Sequence, residues 1–508
     1  MMGDLLLGLD VGTQGVKGAL VDGRGRIVAQ ASVEHETLVP RPDWAEHDMA
    51  TNWWQNVARV TRQLLATEGV RAERVAGIGV SGLYPAMGPT DANGVPLRPA
   101  ILYSDNRAVA EIDEVNAACG LQLTSEESTP KLIWFLRHEP ELAARMRMYF
   151  DAAHYAIFKL CGAYVVDSIT PGLHGAIYSS PAMSWRPAVC ERFGIPLDIL
   201  PEVHPPIEIV GTVHAAAAAE TGLAIGTPVT AGLPDLVASL ISAGATHTDE
   251  ALAYYGTAGL VPILKFDLED AVRRPYPVED GYIFDYPVYS LAVGGAVRWF
   301  RDQLGQQEVE AARREGPPSA YARLDLLAEP VPPGSDGLIL VPHFYGQRSP
   351  EFDPNASGVY FGLAAAHTRG HLFRAVLESF GYVIRHGLET WYPQGAPIRR
   401  LVATGGGASS ALWRQITSDI TGLPQEYVAE ADGPVGDAYL AGMALGWFKD
   451  FETMRNEWIH VSGVTRPDPQ AQEVYSQFYP IYRDLHTALR PLFRRQREAI
   501  QATGGARV

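Results

Sequence analysis

The sequence predicts an α/β protein built from two domains of similar plan. Residues 5–10 form a mostly apolar run that ends on Asp10, and a short turn, Gly12–Gly15, then leads into renewed apolar alternation, which is typical of a β-hairpin. Helical spacing afterwards alternates with buried-strand patterns, which favours helix–strand crossovers. About half a chain later, the predicted strand 250–255 runs into a second Gly-Thr-x-Gly turn at Gly256. A repeated strand–turn–strand unit indicates two domains, each with one such hairpin.

Length and composition limit the class of protein. The chain has 508 residues, of which 47% are hydrophobic and 19% are charged. At roughly 100–250 residues per domain, this length accommodates two or three domains with full cores. We place a domain boundary near residue 246, so the predicted domains are 1–246 and 247–508. The net charge of −17 argues against nucleic acid as the main partner, because phosphate backbones are bound by basic surfaces.

The cysteine content and the lack of membrane signals predict a cytoplasmic protein. Cys119, Cys161 and Cys190 are too widely spaced for a disulfide framework or a metal site, which fits a reducing cytosol. The chain does not open with a basic region followed by a long apolar segment, so no signal peptide is predicted. No apolar run of about 18 residues or more predicts a membrane span.

Apolar periodicity predicts the other elements in chain order. Helical spacing predicts helices over 49–67, 108–119, 131–138, 236–242, 410–420 and from residue 470 onward, and buried runs predict strands over 75–81, 229–232, 260–264 and 400–403.

The first turn suits an anionic oxygen. A turn of small residues can direct backbone N–H groups and the Thr13 hydroxyl at a phosphate, while Asp10 can hold a hydrated Mg²⁺ and Lys17 adds a positive charge. The two better-known phosphate loops do not fit, because no G-x-x-x-x-G-K-[ST] occurs and no helix follows the glycines. The alternative is a small-residue turn in an ordinary hairpin, and the turn alone does not separate the two interpretations.

Several motifs resemble those of the FGGY carbohydrate kinases, a family of the sugar kinase/Hsp70/actin superfamily. The segments Gly358–Leu363 and His371–Glu378 together resemble the second signature of that family, and Thr129–Pro140 is similar to the first. Tyr103-Ser-Asp-Asn-Arg107 resembles the family's Trp-x-Asp-x-Arg loop with Tyr in place of Trp, and Gly346–Pro350 resembles its Gly-Glu-Arg-x-Pro turn with Gln in place of Glu. With the two aspartate turns described next, the resemblance covers the chain to about residue 446.

The resemblance implies two actin-like (ribonuclease H-like) domains with an ATP/sugar cleft between them, and phosphoryl transfer from MgATP to a substrate hydroxyl. Asp235, in Gly232-Leu-Pro-Asp235, carries over as the base that accepts the hydroxyl proton. Its alternative is a helix cap. Asp10, in Asp10-Val-Gly-Thr, carries over as the carboxylate on the Mg²⁺ side, and its alternative is a turn residue. Trp134 and Glu378, inside the signatures, are predicted to be structural.

The resemblance also implies contacts with ATP from both Gly-Thr-x-Gly turns and from two later glycine turns. The alternatives are tight helix–strand packing, ordinary turn chemistry and, for Lys17, a solvated side chain. The residues concerned are Gly12, Thr13, Gln14, Lys17, Gly256, Thr257, Gly294, Gly406 and Ser410.

Substrate choice is predicted to depend on Leu83, Tyr84 and Pro85, since the corresponding strand end faces the sugar in the family. Xylulokinases that resemble this chain carry a Gln-Met-His run there, so the chain departs from them at the substrate pocket. Asp105 and Arg107 either bond sugar hydroxyls or form a structural ion pair across their loop.

The sequence therefore predicts an ATP-dependent carbohydrate kinase that acts on a pentulose such as xylulose or ribulose. The alternative substrate is another polyol or sugar acid, such as glycerol, erythritol or gluconate. An actin-like or Hsp70-like ATPase switch is the alternative from another class, but the chain has no obvious filament surface or appended peptide-binding domain. The predicted cofactors are ATP and Mg²⁺. A homodimer is one candidate assembly, and neither nucleic acid nor a membrane is expected as a partner.

Overall fold

A computed structural model describes residues 3–275 and 283–503. Its strands are β1 (Leu5–Val11), β2 (Gly15–Asp22), β3 (Ile27–Glu34), β4 (Glu46–His47), β5 (Val75–Gly82), β6 (Ala86–Thr90), β7 (Ala100–Leu102), β8 (Met148–Phe150), β9 (Val165–Asp167), β10 (Tyr178–Ser179), β11 (Ser184–Trp185), β12 (Glu202–His204), β13 (Ile209–Thr212), β14 (Pro228–Thr230), β15 (Leu233–Pro234), β16 (Glu250–Tyr255), β17 (Gly259–Leu264), β18 (Phe284–Ser290), β19 (Ile339–Pro342), β20 (Gly358–Phe361), β21 (Arg400–Thr404), β22 (Gln425–Tyr427) and β23 (Gly463–Thr465).

The α-helices are α1 (Asn56–Leu65), α2 (Val109–Cys119), α3 (Ser128–His138), α4 (Pro140–Ala143), α5 (Ala152–Cys161), α6 (Pro187–Phe193), α7 (Ala215–Thr221), α8 (Asp235–Ala243), α9 (Leu268–Ala271), α10 (Val293–Leu304), α11 (Gln306–Glu315), α12 (Ala320–Ala328), α13 (Arg369–Trp391), α14 (Ala411–Thr421), α15 (Gly433–Ala444) and α16 (Pro469–Ala502). Among the described residues, no helix has both the length and the hydropathy needed to cross a membrane.

The chain divides into two compact units. The first contains Met1–Thr246, Phe266–Ile283 and Ala431–Ile459, and the second contains His247–Lys265, Phe284–Glu430 and His460–Val508. Two segments from the later part of the chain therefore belong to the first unit, among them the segment that carries α15. The domain limits 1–246 and 247–508 remain a prediction.

The main sheet of the first unit has the strand order β13-β14-β5-β1-β2-β3, and β15 also pairs with β5. Strands β1, β2 and β3 form an antiparallel meander, whereas β5 runs parallel to both β1 and β14. Leu5, Leu7 and Leu9 of β1 are fully buried in a core with apolar side chains of α1 and α5. This burial explains the nearly continuous apolar run of β1, since such runs are typical of strands covered on both faces.

The main sheet of the second unit repeats this plan. Its order is β18-β17-β16-β21-β22-β23, in which β16, β17 and β18 form the antiparallel meander and β21 runs parallel to β16 and β22. Its core combines this sheet with apolar residues of α13, α14 and α16. The two sheets therefore have the same order and directions, which confirms the similar plan predicted from the repeated turn.

The predicted secondary structure differs from the observed one mainly at its boundaries. The helix predicted over 49–67 is in fact a π-helical turn, Met49–Gln55, that continues into α1. Asp48 begins this segment, because its carboxylate accepts a hydrogen bond of 2.9 Å from the Thr51 N–H. Each of the other predicted helices and strands overlaps an observed one.

Glu378 is a buried structural residue of the second unit. Its carboxylate accepts hydrogen bonds from the Gly334 N–H (2.9 Å), the Ser335 hydroxyl (2.9 Å), Arg374 Nε (3.0 Å) and the Tyr475 hydroxyl (2.9 Å). The carboxylate therefore joins α13 to α16 and to a turn, and the structural role predicted for this residue agrees with these contacts.

We expect Glu378→Ala to lower the free energy of unfolding by about 3–5 kcal/mol, because it leaves the Arg374 guanidinium buried without its carboxylate. The matched control is Glu389→Ala on the same helix, since the pair Arg385–Glu389 has the same spacing but is more exposed. The control should lose about 0.5 kcal/mol. Urea denaturation followed by tryptophan fluorescence measures both, and equal losses would contradict the structural role of Glu378.

Candidate active site

The turn after β1 is a tight hairpin of small residues. The Gly12 N–H donates a hydrogen bond of 2.9 Å to the Gly15 carbonyl and closes a loop that contains only Thr13 and Gln14. A Cβ atom at Gly15 would lie 2.6 Å from the Val33 carbonyl oxygen, so the strand β3 alongside leaves room only for glycine. The turn keeps part of its surface exposed and begins two residues after Asp10.

Asp235 lies at the same edge of the sheet as Asp10. Strand β15 pairs with the end of β5, with Leu233 opposite Ser81, and β5 is parallel to β1, in which Asp10 is also opposite Ser81. Because parallel strands end at the same edge, the residue that follows β15 lies near the end of β1. The Asp235 carboxylate accepts a hydrogen bond of 2.7 Å from the adjacent Leu236 N–H and makes no N-cap bond to the next turn of α8. This geometry does not favour the helix-cap alternative.

The pKa values of both carboxyl groups are raised. Burial raises the pKa of Asp10 to about 6, with a further contribution from the charge of Asp432. Burial also raises the pKa of Asp235 to about 8, and the charge of Asp10 adds to this shift. A carboxyl group with a pKa near neutrality can accept and release a proton at physiological pH.

Lys17 lies directly beside this pair. It is opposite Asp10 in the β1–β2 ladder, and its Nζ is 2.9 Å from Asp432 Oδ1. The lysine side chain is 53% exposed. A half-exposed cation next to the turn is compatible with both interpretations of the sequence, a phosphate contact and a solvated lysine.

The acidity of Tyr103 responds to both the turn and Asp235, although sequence reasoning assigned this residue no role of its own. Burial raises the pKa of its hydroxyl, a hydrogen bond with Thr13 lowers it, and the charge of Asp235 raises it. The phenol is therefore within electrostatic range of Asp235. Its position in the loop that resembles Trp-x-Asp-x-Arg was the sequence feature that could have marked it as a site residue.

Sequence reasoning also missed Ser81 and Asp437. Both are fully buried, and the Ser81 hydroxyl donates a hydrogen bond of 2.8 Å to Asp437 Oδ2. Burial raises the pKa of Asp437 well above its usual range, and the charges of Asp10 and Asp235 contribute. No local motif marks Asp437, because its proximity to β1 depends on how α15 packs.

The residues around Asp10 fit a hydrated Mg²⁺. Asp10 Oδ1 is buried and has no hydrogen-bond partner among the described residues. In the part of the chain that the structure describes, no group of three or more His, Cys, Asp or Glu side chains is arranged as direct metal ligands. Mg²⁺ commonly takes one or two protein carboxylates and completes its coordination with water and substrate phosphates, so this donor set is suitable.

The structure buries most of the predicted substrate residues, and their role in substrate choice stays a prediction. Leu83 is only 1% exposed and packs in the core of the first unit. Pro85 is also buried, whereas Tyr84 keeps part of its surface exposed. Asp105 and Arg107 are fully buried and form an ion pair of 2.7 Å.

This ion pair belongs to a larger buried network. Arg107 also pairs with Glu46 at 2.7 Å, and its guanidinium lies 3.6 Å from the ring centroid of Trp44. Asp105 accepts a hydrogen bond of 2.6 Å from the Ala45 N–H. These contacts occupy most of the polar atoms that a sugar hydroxyl would need, and they favour the structural alternative for Asp105 and Arg107.

The predicted nucleotide residues of the second unit lie at one edge of its sheet. The Gly294 N–H donates to the Gly256 carbonyl at 2.9 Å, so α10 begins directly on the second hairpin turn, and Arg298 donates to the Thr257 hydroxyl at 3.2 Å. The turn that contains Gly406 follows β21, which is parallel to β16, and therefore lies at the same edge.

Gly406 and Ser410, the two predicted nucleotide residues of this later turn, have different surroundings. A Cβ atom at Gly406 would meet nothing within 4 Å, so its backbone faces open space. Ser410 caps α14, because its hydroxyl accepts a hydrogen bond of 3.0 Å from the Trp413 N–H. Ser410 therefore has a structural contact of its own.

Comparison with known proteins finds matches over nearly the whole chain. The FGGY family of carbohydrate kinases matches with its N-terminal domain over residues 5–242 and with its C-terminal domain over residues 252–445. A xylulose kinase of Staphylococcus epidermidis is 26% identical over 506 residues, which cover 97% of this chain and 98% of that protein. A gluconokinase of Bacillus subtilis is 27% identical over 511 residues, 96% of each chain. The crystal structure of xylulose kinase from Rhodospirillum rubrum matches with a TM-score of 0.84 and 31% identity, over 96% of this chain and 100% of that one.

The raised pKa of Asp235 makes a prediction about stability. The ordinary pKa of 3.8 rises to about 8 on folding, so between these pH values the folded state holds a proton that the unfolded chain has lost. The folded state is therefore less stable as the pH rises through this window. Asp235→Asn has no proton to lose and removes this effect. We therefore expect the difference in melting temperature, variant minus wild type, to become larger as the pH rises from 4 to 8.

The control for this measurement is Asp468→Asn, at the exposed N-cap of α16. Asparagine caps a helix as well as aspartate does, so its melting temperature should differ from the wild type by a constant amount. Parallel pH profiles for the wild type and Asp235→Asn would contradict the shifted pKa.

Proposed function

Because the chain belongs to the FGGY family of carbohydrate kinases, we propose that it transfers the γ-phosphoryl group of MgATP to a hydroxyl group of a pentulose. The family membership makes the chain a phosphotransferase with an alcohol group as acceptor and with two actin-like domains. Xylulose and ribulose are the substrates we propose first.

The Asp235 carboxyl group carries this proposal. A sugar hydroxyl must lose its proton as it attacks a phosphoryl group, and a carboxylate in hydrogen-bonding reach can accept that proton. Asp235 lies at the sheet edge beside Asp10, and burial raises its pKa, so its ionised form is a stronger base than an ordinary aspartate. Tyr103, close to Thr13 and Asp235, would orient the acceptor sugar near this base.

Asp10 would hold the Mg²⁺ ion through water, and its unpartnered buried oxygen supports that role. When bound, the ion would neutralise charge on the transferring phosphoryl group. Phosphate contacts would come from the backbone and side chains of the two hairpin turns, and further contacts with the nucleotide from the later glycine turns. The residues proposed for ATP are Gly12, Thr13, Gln14, Lys17, Gly256, Thr257, Gly294, Gly406 and Ser410.

The choice of a pentulose is supported by the relatives named xylulose kinase, which match almost their full length. A sugar acid or another polyol is the second candidate, because a gluconokinase is equally similar. The run from Leu83 to Pro85 also departs from the Gln-Met-His run of the xylulokinases that the chain resembles. A cytoplasmic location and a homodimeric assembly stay predictions.

We expect xylulose or ribulose to stimulate ADP release from MgATP far more than other acceptors do. The panel contains xylulose, ribulose, glycerol, erythritol, gluconate and hexoses, and a coupled assay measures ADP. Sites that hydrogen-bond particular hydroxyls discriminate by about 10⁴-fold against analogues that lack them, so one compound should dominate. A reaction without sugar supplies the basal rate of ATP hydrolysis.

Two results of the panel would contradict the proposal. A dominant response to gluconate, glycerol or erythritol would replace the pentulose by the second candidate. ATP hydrolysis that no sugar stimulates would favour an ATPase switch and contradict transfer to these acceptors.

A further inference from the structure

Asp437 is a buried carboxyl group without an assigned role. It lies in the second turn of α15, and its side chain is inaccessible to solvent. Its Oδ2 atom accepts the hydrogen bond from Ser81, but its Oδ1 atom is buried with no partner among the described residues. A buried polar atom without a partner costs stability, so it calls for a functional explanation.

The backbone holds Asp437 firmly in place. A Cβ atom at Gly79 of β5 would lie 2.0 Å from the Asp437 carbonyl oxygen, and a Cβ atom at Gly436 would lie 2.2 Å from the Ala238 carbonyl oxygen of α8. The helix therefore lies in backbone contact with both β5 and α8. Asp437 cannot move away from the sheet unless α15 moves as a whole.

Ser81 connects Asp437 with Asp10. Ser81 and Asp10 are register partners in the parallel strands β5 and β1, so their side chains leave the sheet on the same face. The Ser81 hydroxyl group also lies close enough to Asp10 to lower the pKa of that carboxyl group. One hydroxyl group thus lies between two buried carboxyl groups, and each of these has one oxygen without a partner among the described residues.

We propose that Asp437 is a positioning residue, which anchors the Ser81 hydroxyl so that this hydroxyl fixes the orientation of the Asp10 carboxyl group. The inference rests on the proposed function, in which Asp10 holds the hydrated metal of the metal–nucleotide complex. Groups that orient a metal ligand commonly contribute 10-fold to 100-fold to metal affinity, by preventing the ligand from rotating away. Asp437 acts through Ser81 and does not touch the substrate.

The test is the affinity for Mn²⁺·ADP, measured by electron paramagnetic resonance and titration calorimetry on the full chain, without turnover. We expect Asp437→Ala and Ser81→Ala each to weaken this affinity by about 10-fold to 100-fold. The double variant should be no weaker than either single one, because both substitutions break the same connection. Asp437→Asn should stay within about threefold of the wild type, because its amide oxygen still accepts the serine hydrogen bond.

Two controls separate positioning from general damage. Ser242→Ala removes another buried serine hydroxyl of the first unit, which bonds the Ser239 carbonyl at 3.0 Å on α8, and it should leave the affinity unchanged. Circular dichroism and the melting temperature establish that each variant is folded. If Asp437→Ala does not fold, the comparison of Ser81→Ala with Ser242→Ala tests the proposal: weaker Mn²⁺·ADP binding by Ser81→Ala alone supports it, and equal affinities overturn it.

Asp10→Asn separates a failure of this inference from a failure of the proposed function. If Asp10→Asn weakens Mn²⁺·ADP binding while Asp437→Ala and Ser81→Ala bind like the wild type, the positioning role is overturned and the proposed function stands. If Asp10→Asn also binds like the wild type, the metal role of Asp10 is wrong, and the inference is wrong with it. Additive losses in the double variant would also overturn it.

Discussion

The direct backbone contact between α15 and the main sheet of the first unit determines where the candidate active-site carboxyl groups lie. A Cβ atom at Gly8 would lie 1.7 Å from the Pro434 carbonyl oxygen, and one at Gly79 would lie 2.0 Å from that of Asp437. Only glycine permits such an approach between a helix and a strand. The first turn of α15 therefore lies against β1, the strand that carries Asp10. Strand and helix are more than 400 residues apart in the sequence.

This arrangement concentrates carboxyl groups in a protein interior, which opposes folding. Burial raises the pKa of Asp10, Asp235 and Asp437, and the charge of Asp10 adds to the shifts of the other two. Lys17 pairs with Asp432 at the border of the cluster and offsets only part of the charge. Such a cluster is typical of a functional site, where perturbed acidity serves chemistry and the rest of the fold supplies the stability.

Local patterns in the sequence predict much of the fold, and the packing of distant segments explains what they miss. Both hairpin turns, their strands and the position of Asp235 follow from apolar periodicity, turn chemistry and a family resemblance. The sequence does not reveal Asp437, because glycine contacts that join α15 to β1 and β5 have no periodicity. It also leaves the role of Leu83 open, since an apolar residue after a strand fits a core and a pocket equally well. From the sequence, the choice between a sugar contact and a structural ion pair for Asp105 and Arg107 stays open, because the sequence does not show that Glu46 is a further partner.

The destination of the γ-phosphoryl group shows whether Asp235 is the base of a sugar kinase. Phosphorus NMR can follow MgATP with xylulose or ribulose in the wild type, Asp235→Asn and the control Asp468→Asn. We expect equal amounts of ADP and a sugar phosphate ester for the wild type and the control. Asp235→Asn should form the ester about 10²–10⁴-fold more slowly while binding ATP normally. Ester formation at the wild-type rate in Asp235→Asn, or release of inorganic phosphate alone by the wild type, would contradict this role.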